Sequence, residues 1–250
     1  MLNNKGENIE FKDSKGKLTL RMLEERYPKE YLECIEDFNK HWESKGYFNG
    51  KKLGVSQIKG NRLKYYQTDY KTMRFIYNYL RHKVELPNYI LNSSLGIHTI
   101  IRDDDEYLIT RRKHNSEGDI ADNLYQLSTS EGIEVEDILN SKERKEDLIQ
   151  YLIKRSFEEE LGIELEIGEY KYIGYSEEDN RPYILYEIKV ENLRELLKER
   201  KESTDSLEGV EDILEEELVT KENLYDTKNK QLTDSYIMYL NYLNKKETNS

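Results

Sequence analysis

The stretch DLIQYLIKRSFEEELGI, residues 147–163, decides how this chain folds. Leu148, Ile149, Leu152, Ile153, Phe157 and Leu161 recur at the three- and four-residue spacing that places them on one broad face of an α-helix. Gly162 follows the last of them, and glycine accepts the left-handed backbone with which many helices end. At about 100° per residue, Ser156, Glu159 and Glu160 fall within roughly 100° of one another, away from Ile153, Phe157 and Leu161. The spacing predicts a core-packed helix whose polar edge carries the carboxylates of Glu159 and Glu160 beside the turn. Two adjacent carboxylates repel, and a hard, oxygen-preferring cation such as Mg²⁺ offsets that repulsion. Arg155, one turn before Glu159, is spaced to hold a carboxylate by charge-assisted hydrogen bonds. In a chain with 51 acidic residues, the same run also reads as a solvated helix end.

Working outward, ELEIGEYKYIGYS (164–176) and PYILYEIKV (182–190) read as paired strands with EEDNR as their turn. NLRELLKERKES reads as a polar helix, residues 202–212 as an acidic loop, and QLTDSYIMYLNYLNKK as an amphipathic helix capped by Thr233 or Asp234. On the other side, GIHTII and YLITRRK form a strand–turn–strand signal, followed by a polar loop (114–123) and the short strand LYQLS. Further back, a helix is expected from Pro28 through Trp42, with Tyr31, Ile35, Phe38 and Trp42 on one face. KLGVSQI and RLKYYQTDY read as a hairpin around Lys-Gly-Asn, TMRFIYNYLRH as a helix, LPNYILNSS as a connector, and residues 1–15 as loose. The chain thus divides near residue 94. An N-terminal α/β extension (1–94) precedes a part (95–250) whose element order fits an α/β or α+β sandwich, with the central helix on a mixed sheet.

Composition narrows the function. Charged and hydrophobic residues each make up 36%, and the net charge is −12, which argues against a broad nucleic-acid footprint but leaves room for a small phosphorylated ligand. Cys34 is the only cysteine, so an intramolecular disulfide and a cysteine-based zinc site are excluded. No apolar run reaches membrane-spanning length and the first residues lack a secretory apolar core, so a cytoplasmic protein is expected. The 21 tyrosines fit A/T-rich codon usage or stacking on a ligand. The four histidines, His41, His82, His98 and His114, are scattered without metal-ligand spacing.

Residues 155–163 resemble the Nudix box, in which Gly, five residues, Glu and seven residues lead to Arg-Glu-apolar-any-Glu-Glu-any-Gly-apolar. The matches are Arg155, Phe157, Glu159, Glu160, Gly162 and Ile163. The flanks are similar too: GIHTIIRDDDEYLITRRK looks like the family's opening hairpin, and LYQLSTSEGIE stands where the family has a strand and a Gly-Gly loop. Three departures accompany the match. Ser156 stands where the family has a metal-binding or water-activating Glu, Thr129-Ser130-Glu131-Gly132 replaces the Gly-Gly turn, and the run from Gly132 to Arg155 is about nine residues longer. The Glu eight before the Arg becomes Asp147, or Glu146 if the register slips.

The resemblance implies a Nudix-type α/β/α sandwich and a Mg²⁺- or Mn²⁺-dependent hydrolase of a nucleoside diphosphate linked to another group. Glu159 and Glu160 would hold the metal with Arg155 positioning them, Glu131 or Glu208 would supply a further carboxylate, and Arg111 and Arg112 would meet the substrate. The 47–80 stretch, with Thr68, Asp69 and Tyr70 at a helix start, is similar to the leader of the uridine diphosphate glucose pyrophosphatase branch, which implies a nucleotide sugar. Because Ser156 cannot act as a base near neutral pH, a catalytically inactive module that binds a nucleotide or a protein partner is the alternative.

Overall fold

The computed structural model describes residues 9–112, 124–178, 181–199, 213–226, 230 and 232–248. The expected loop at 114–123 and the acidic stretch at 202–212, with Glu208, lie outside them.

The chain opens with β1 (Glu10–Lys17) and α1 (Leu20–Arg26), so residues 10–15, expected to be loose, form a strand. That strand has little apolar content of its own. It forms because it pairs in parallel with β3 (Arg62–Asp69), which in turn pairs antiparallel with β2 (Lys51–Lys59) in the predicted hairpin. The helix expected from Pro28 is broken. A 3-10 turn (Lys29–Tyr31) ends at Leu32, whose backbone (φ −111°, ψ 7°) leaves helical geometry, and α2 (Ile35–Lys45) then runs to Gly46 in the left-handed region. Asp69 caps α3 (Tyr70–Asn78) by accepting from the Thr72 amide at 2.9 Å, and the connector contains a short helix, α4 (Asn88–Leu91).

The second sheet is mixed and is built around a fork. Strands β4 (Gly96–Asp103) and β5 (Glu106–Arg112) pair only beside their turn, at Arg102–Tyr107 and Asp103–Glu106. Beyond that point they diverge, and β6 (Tyr125–Leu127) and β7 (Thr129–Gly132) fill the gap, β6 on β5 and β7 on β4. Ser128 sits at the apex with φ 55°, fully buried. Its hydroxyl accepts from the Ile101 amide at 2.9 Å and donates to the Leu108 carbonyl at 2.8 Å, replacing ladder bonds that the diverging strands cannot make. Parallel pairing of β4 with β9 (Arg181–Lys189), antiparallel pairing of β9 with β8 (Tyr170–Glu178), and β10 (Ile213–Thr220) on the outer edge of β5 complete the sheet.

Both faces of this sheet are covered, and the strands show it residue by residue. Ile97, Ile101, Leu108, Ile184, Tyr186 and Ile188 join one core, while Ile100, Tyr107, Ile109 and Leu185 join the other, as the two-residue period of a strand requires. The first core is closed by α6 (Leu148–Leu161) and by Leu53, Val55, Leu63 and Tyr65 of the N-terminal sheet, so the extension shares a core with the remainder. The second is closed by α8 (Asp234–Thr248) through Tyr236, Tyr239, Tyr242 and Leu243. The architecture is an α/β/α sandwich with a mixed sheet. Tyrosines serve this packing: Tyr77, Tyr186, Tyr236 and Tyr239 are among the largest fully buried side chains. The Tyr77 hydroxyl finds the Leu91 carbonyl at 2.6 Å, which removes the penalty of burying it.

The helix read first from the sequence forms as expected. Leu152, Ile153, Phe157 and Leu161 are at most 1% exposed, each contributing roughly 1.5–3 kcal/mol by burial, and Gly162 ends the helix at φ 65°. Asp147 caps its start, accepting from the Ile149 and Gln150 amides and from the Tyr170 hydroxyl. The segment between Gly132 and α6 carries α5 (Val135–Glu143), and α7 (Leu193–Glu199) follows β9. Among the described residues no helix is long and apolar enough to cross a membrane.

Candidate functional site

The C-terminal half of α6 lies against β7. Thr129-Ser130-Glu131-Gly132, expected as a loop, is a strand because β4 pairs with it, Gly96 to Gly132 through Thr99 to Thr129. Alternate β7 residues therefore point to opposite sides of the sheet. Thr129 and Glu131 face α6, and Ser130 faces away towards His98, whose Nε2 lies 3.3 Å from the Ser130 hydroxyl.

Ser156 is buried at this contact. Its Oγ lies 3.0 Å from Thr129 Oγ1 and donates to the Ile153 carbonyl at 2.9 Å. One turn on, Glu160 is also buried, and both its oxygens accept from the Ser130 amide, at 3.0 and 3.1 Å. Glu159 and Glu160 thus do not project together from an exposed edge. Glu160 fastens the end of the helix to the sheet, and Glu159 alone reaches towards solvent.

Arg155 is the centre of the charged network. It donates to the Gly132 carbonyl at 2.7 Å and faces Glu131 and Asp137, each at 3.3 Å, while Glu159 lies at 3.9 Å. Burial works against the guanidinium charge, but Glu131, Asp137, Glu159 and Glu134 outweigh it and hold its pKa above the ordinary arginine value. Asp137 also accepts from the Glu134 amide at 2.7 Å, one half of the capping box that starts α5. Burial raises its pKa, against the opposing pull of Arg155 and that amide. Glu159 is pushed up to about 7, first by burial and then by Glu131, Asp137 and Glu134, with Arg155 pulling the other way. Around Arg155, with Lys52 on Glu134, the described carboxylates outnumber the cations.

The sequence-predicted residues divide. Arg155, Glu159 and Glu131 come together, and Glu160 is next to them but turned into the α6–β7 contact. Arg111 is engaged elsewhere, 3.1 Å from Glu215 of β10 and over the Tyr125 ring. Arg112 ends β5, with its side chain outside the described part of the structure. Glu208 likewise lies outside it. Asp137 was missed by sequence reasoning, although the Glu134–Asp137 spacing carried a capping-box signal. Among the described residues, no group of three or more His, Cys, Asp or Glu has the disposition of a preformed metal site.

No protein-family model matches the chain, and no curated protein does. Solved structures similar to it include a Nudix hydrolase from Nitrosomonas europaea, at 13% identity over 60% of this chain and 88% of that one, with a TM-score of 0.39. The MutT protein from Methanosarcina mazei Go1 is 16% identical over 63% of this chain and 95% of that one, at 0.40. A bifunctional NMN adenylyltransferase/ADP ribose pyrophosphatase from Francisella tularensis is 15% identical over 66% of this chain and 43% of that one, at 0.38.

Proposed function

We propose that the chain is a Nudix-type, divalent-metal-dependent hydrolase that cleaves the diphosphate of a nucleoside diphosphate linked to another group, such as a nucleotide sugar. The observation that carries this reading is the convergence of Glu131, Asp137 and Glu159 on Arg155 at the end of a helix that bears most of the box. Glu159 and Glu131 would hold Mg²⁺ or Mn²⁺, with Glu160 close by. A metal held there would polarise a phosphoryl oxygen and lower the pKa of water. The chain's own residues supply the frame. Arg155 orients Glu131 and Glu159, Asp137 holds Arg155, and Glu160 pins the helix end to the Ser130 amide. Ser156 supplies no proton acceptor.

A second reading, a nucleotide-binding module without turnover, is favoured by one observation: Ser156 is sealed against Thr129 and Ile153, so nothing at that position reaches the charged cluster. Phosphate release with Mg²⁺ or Mn²⁺, across nucleotide sugars, ADP-ribose and dinucleoside polyphosphates, separates the two. The hydrolase reading expects turnover of at least one substrate, abolished by Glu159→Gln with Glu160→Gln. Turnover of none leaves the binding module, and full activity in the double variant overturns the assignment of the chemistry to Glu159 and Glu160.

A further inference from the structure

Beside the charged cluster lies a trough of about 490 Å³ with quite different walls, made by Tyr47, Phe48, Gly50, Lys52, Tyr70 and Glu134. Its size falls within the range of small-molecule sites, roughly 300–1,000 Å³. Phe48 is 83% exposed, which is unusual for a large aromatic in a chain whose other aromatics are so widely used in packing. Its segment is nevertheless pinned. Gly46 ends α2, the Tyr70 amide bonds the Gly50 carbonyl at 2.9 Å, and the Lys71 amide bonds Asn49 Oδ1 at 2.7 Å. The Phe48 ring leans over Gly50, where a Cβ would stand 3.1 Å from it, so any side chain at position 50 would shift the wall.

The trough adjoins the proposed metal site through a continuous set of contacts. Lys52 Nζ lies 5.9 Å from the centroid of the Tyr70 ring and bonds Glu134. The Glu134 amide bonds Asp137, and Asp137 pairs with Arg155. Arg155 in turn bonds the Gly132 carbonyl, and Lys52 Nζ lies 3.4 Å from where a Cβ on Gly132 would stand. Aromatic faces on a fixed loop, with a cation on the side towards Arg155, suit a planar base joined to phosphates. Stacking supplies affinity for the base, and an ammonium supplies it for the anion.

We infer that this trough is the nucleoside subsite, with the base against Phe48 and the Tyr70 side, and the phosphates passing Lys52 towards Arg155. The inference deepens the hydrolase reading and rests on it for the course of the phosphates, whereas binding of the base can be measured without catalysis. Trp42, the only tryptophan, reports on the site, since its ring lies 5.1 Å from Tyr47 and 5.7 Å from Tyr70.

The test titrates the full chain, in chelator without added metal, with AMP, UMP and inorganic phosphate, following Trp42 fluorescence and confirming by calorimetry. AMP and UMP should bind saturably and phosphate alone should not. Phe48→Ala should weaken the nucleotides about tenfold, and Phe48→Tyr should retain them. Absence of nucleotide binding, or equal binding by Phe48→Ala, overturns the subsite. If nucleotides bind through Phe48 but nothing is hydrolysed, only the hydrolase reading fails. If a substrate is hydrolysed with the same KM in Phe48→Ala, only the subsite fails.

Discussion

Each face of the central sheet buries a carboxylate beside an arginine, and the two are balanced differently. On the α8 side, Glu187 is 9% exposed, lies 3.3 Å from Arg102, and accepts from the Tyr239 hydroxyl. One acid meets one base and one donor. On the α6 side, Arg155 meets Glu131, Asp137 and Glu159, and Glu159 is pushed up to about 7. The first arrangement needs nothing further. The second holds more carboxylates than its cations can pair, which is unfavourable for folding and is the pattern that functional sites share.

The largest expected difference between the two comes from Arg155→Met. Removing the guanidinium leaves Asp137 and Glu131 without their cation, which should cost about 3–5 kcal/mol in urea unfolding at pH 7. Tyr239→Phe removes one charge-assisted hydrogen bond from the balanced pair and should cost about 1.5–3 kcal/mol by the same measurement. A loss from Arg155→Met no greater than that from Tyr239→Phe would mean that the two faces are alike. Ser156→Ala removes the bonds to Thr129 and Ile153 and should cost about 1 kcal/mol. With no effect on activity, it would place Ser156 wholly in the packing of α6 on β7.

A further difference lies in pH dependence. The Glu159 carboxyl has a folded pKa above its unfolded one, so the folded state binds the extra proton between about pH 4.5 and 7. Its contribution is fully present below that window and is lost as pH rises through it, so stability in chelator should decline there. Glu159→Gln should flatten the decline, and equal slopes in the two proteins would remove Glu159 as its source.

What could be read from the sequence follows what each element packs. Helix α6 was legible because its buried face is apolar, from Ile149 to Leu161, and the β2–β3 hairpin because Lys-Gly-Asn marks its turn. Helix α5 was not, because its fully buried residues are Asp137 and Ser141, while Val135 and Ile138 pack only partly against the core and Leu139 is exposed. β7 has no apolar residue and exists because β4 pairs with it, and β10 places Glu215, Glu216 and Glu217 in an edge strand that resembles the acidic run before it. At the site, Arg155 and Glu159 were legible as a pair. The inward turn of Glu160 was not, because it depends on an amide of β7 whose position comes from pairing across the sheet.

The fork at Ser128 also bears on how this chain tolerates change in length. β7 is registered by β4, and α6 by the core beneath it, so the two sides of the charged cluster are located independently of the segment that joins them. A change of length between Gly132 and Asp147 can then be absorbed without moving either side, and here that segment carries α5, which contributes Asp137 to the arginine it flanks. The connecting segment is thus open to recruitment: residues added there for length stand beside Arg155 and can be drawn into its ion pairing.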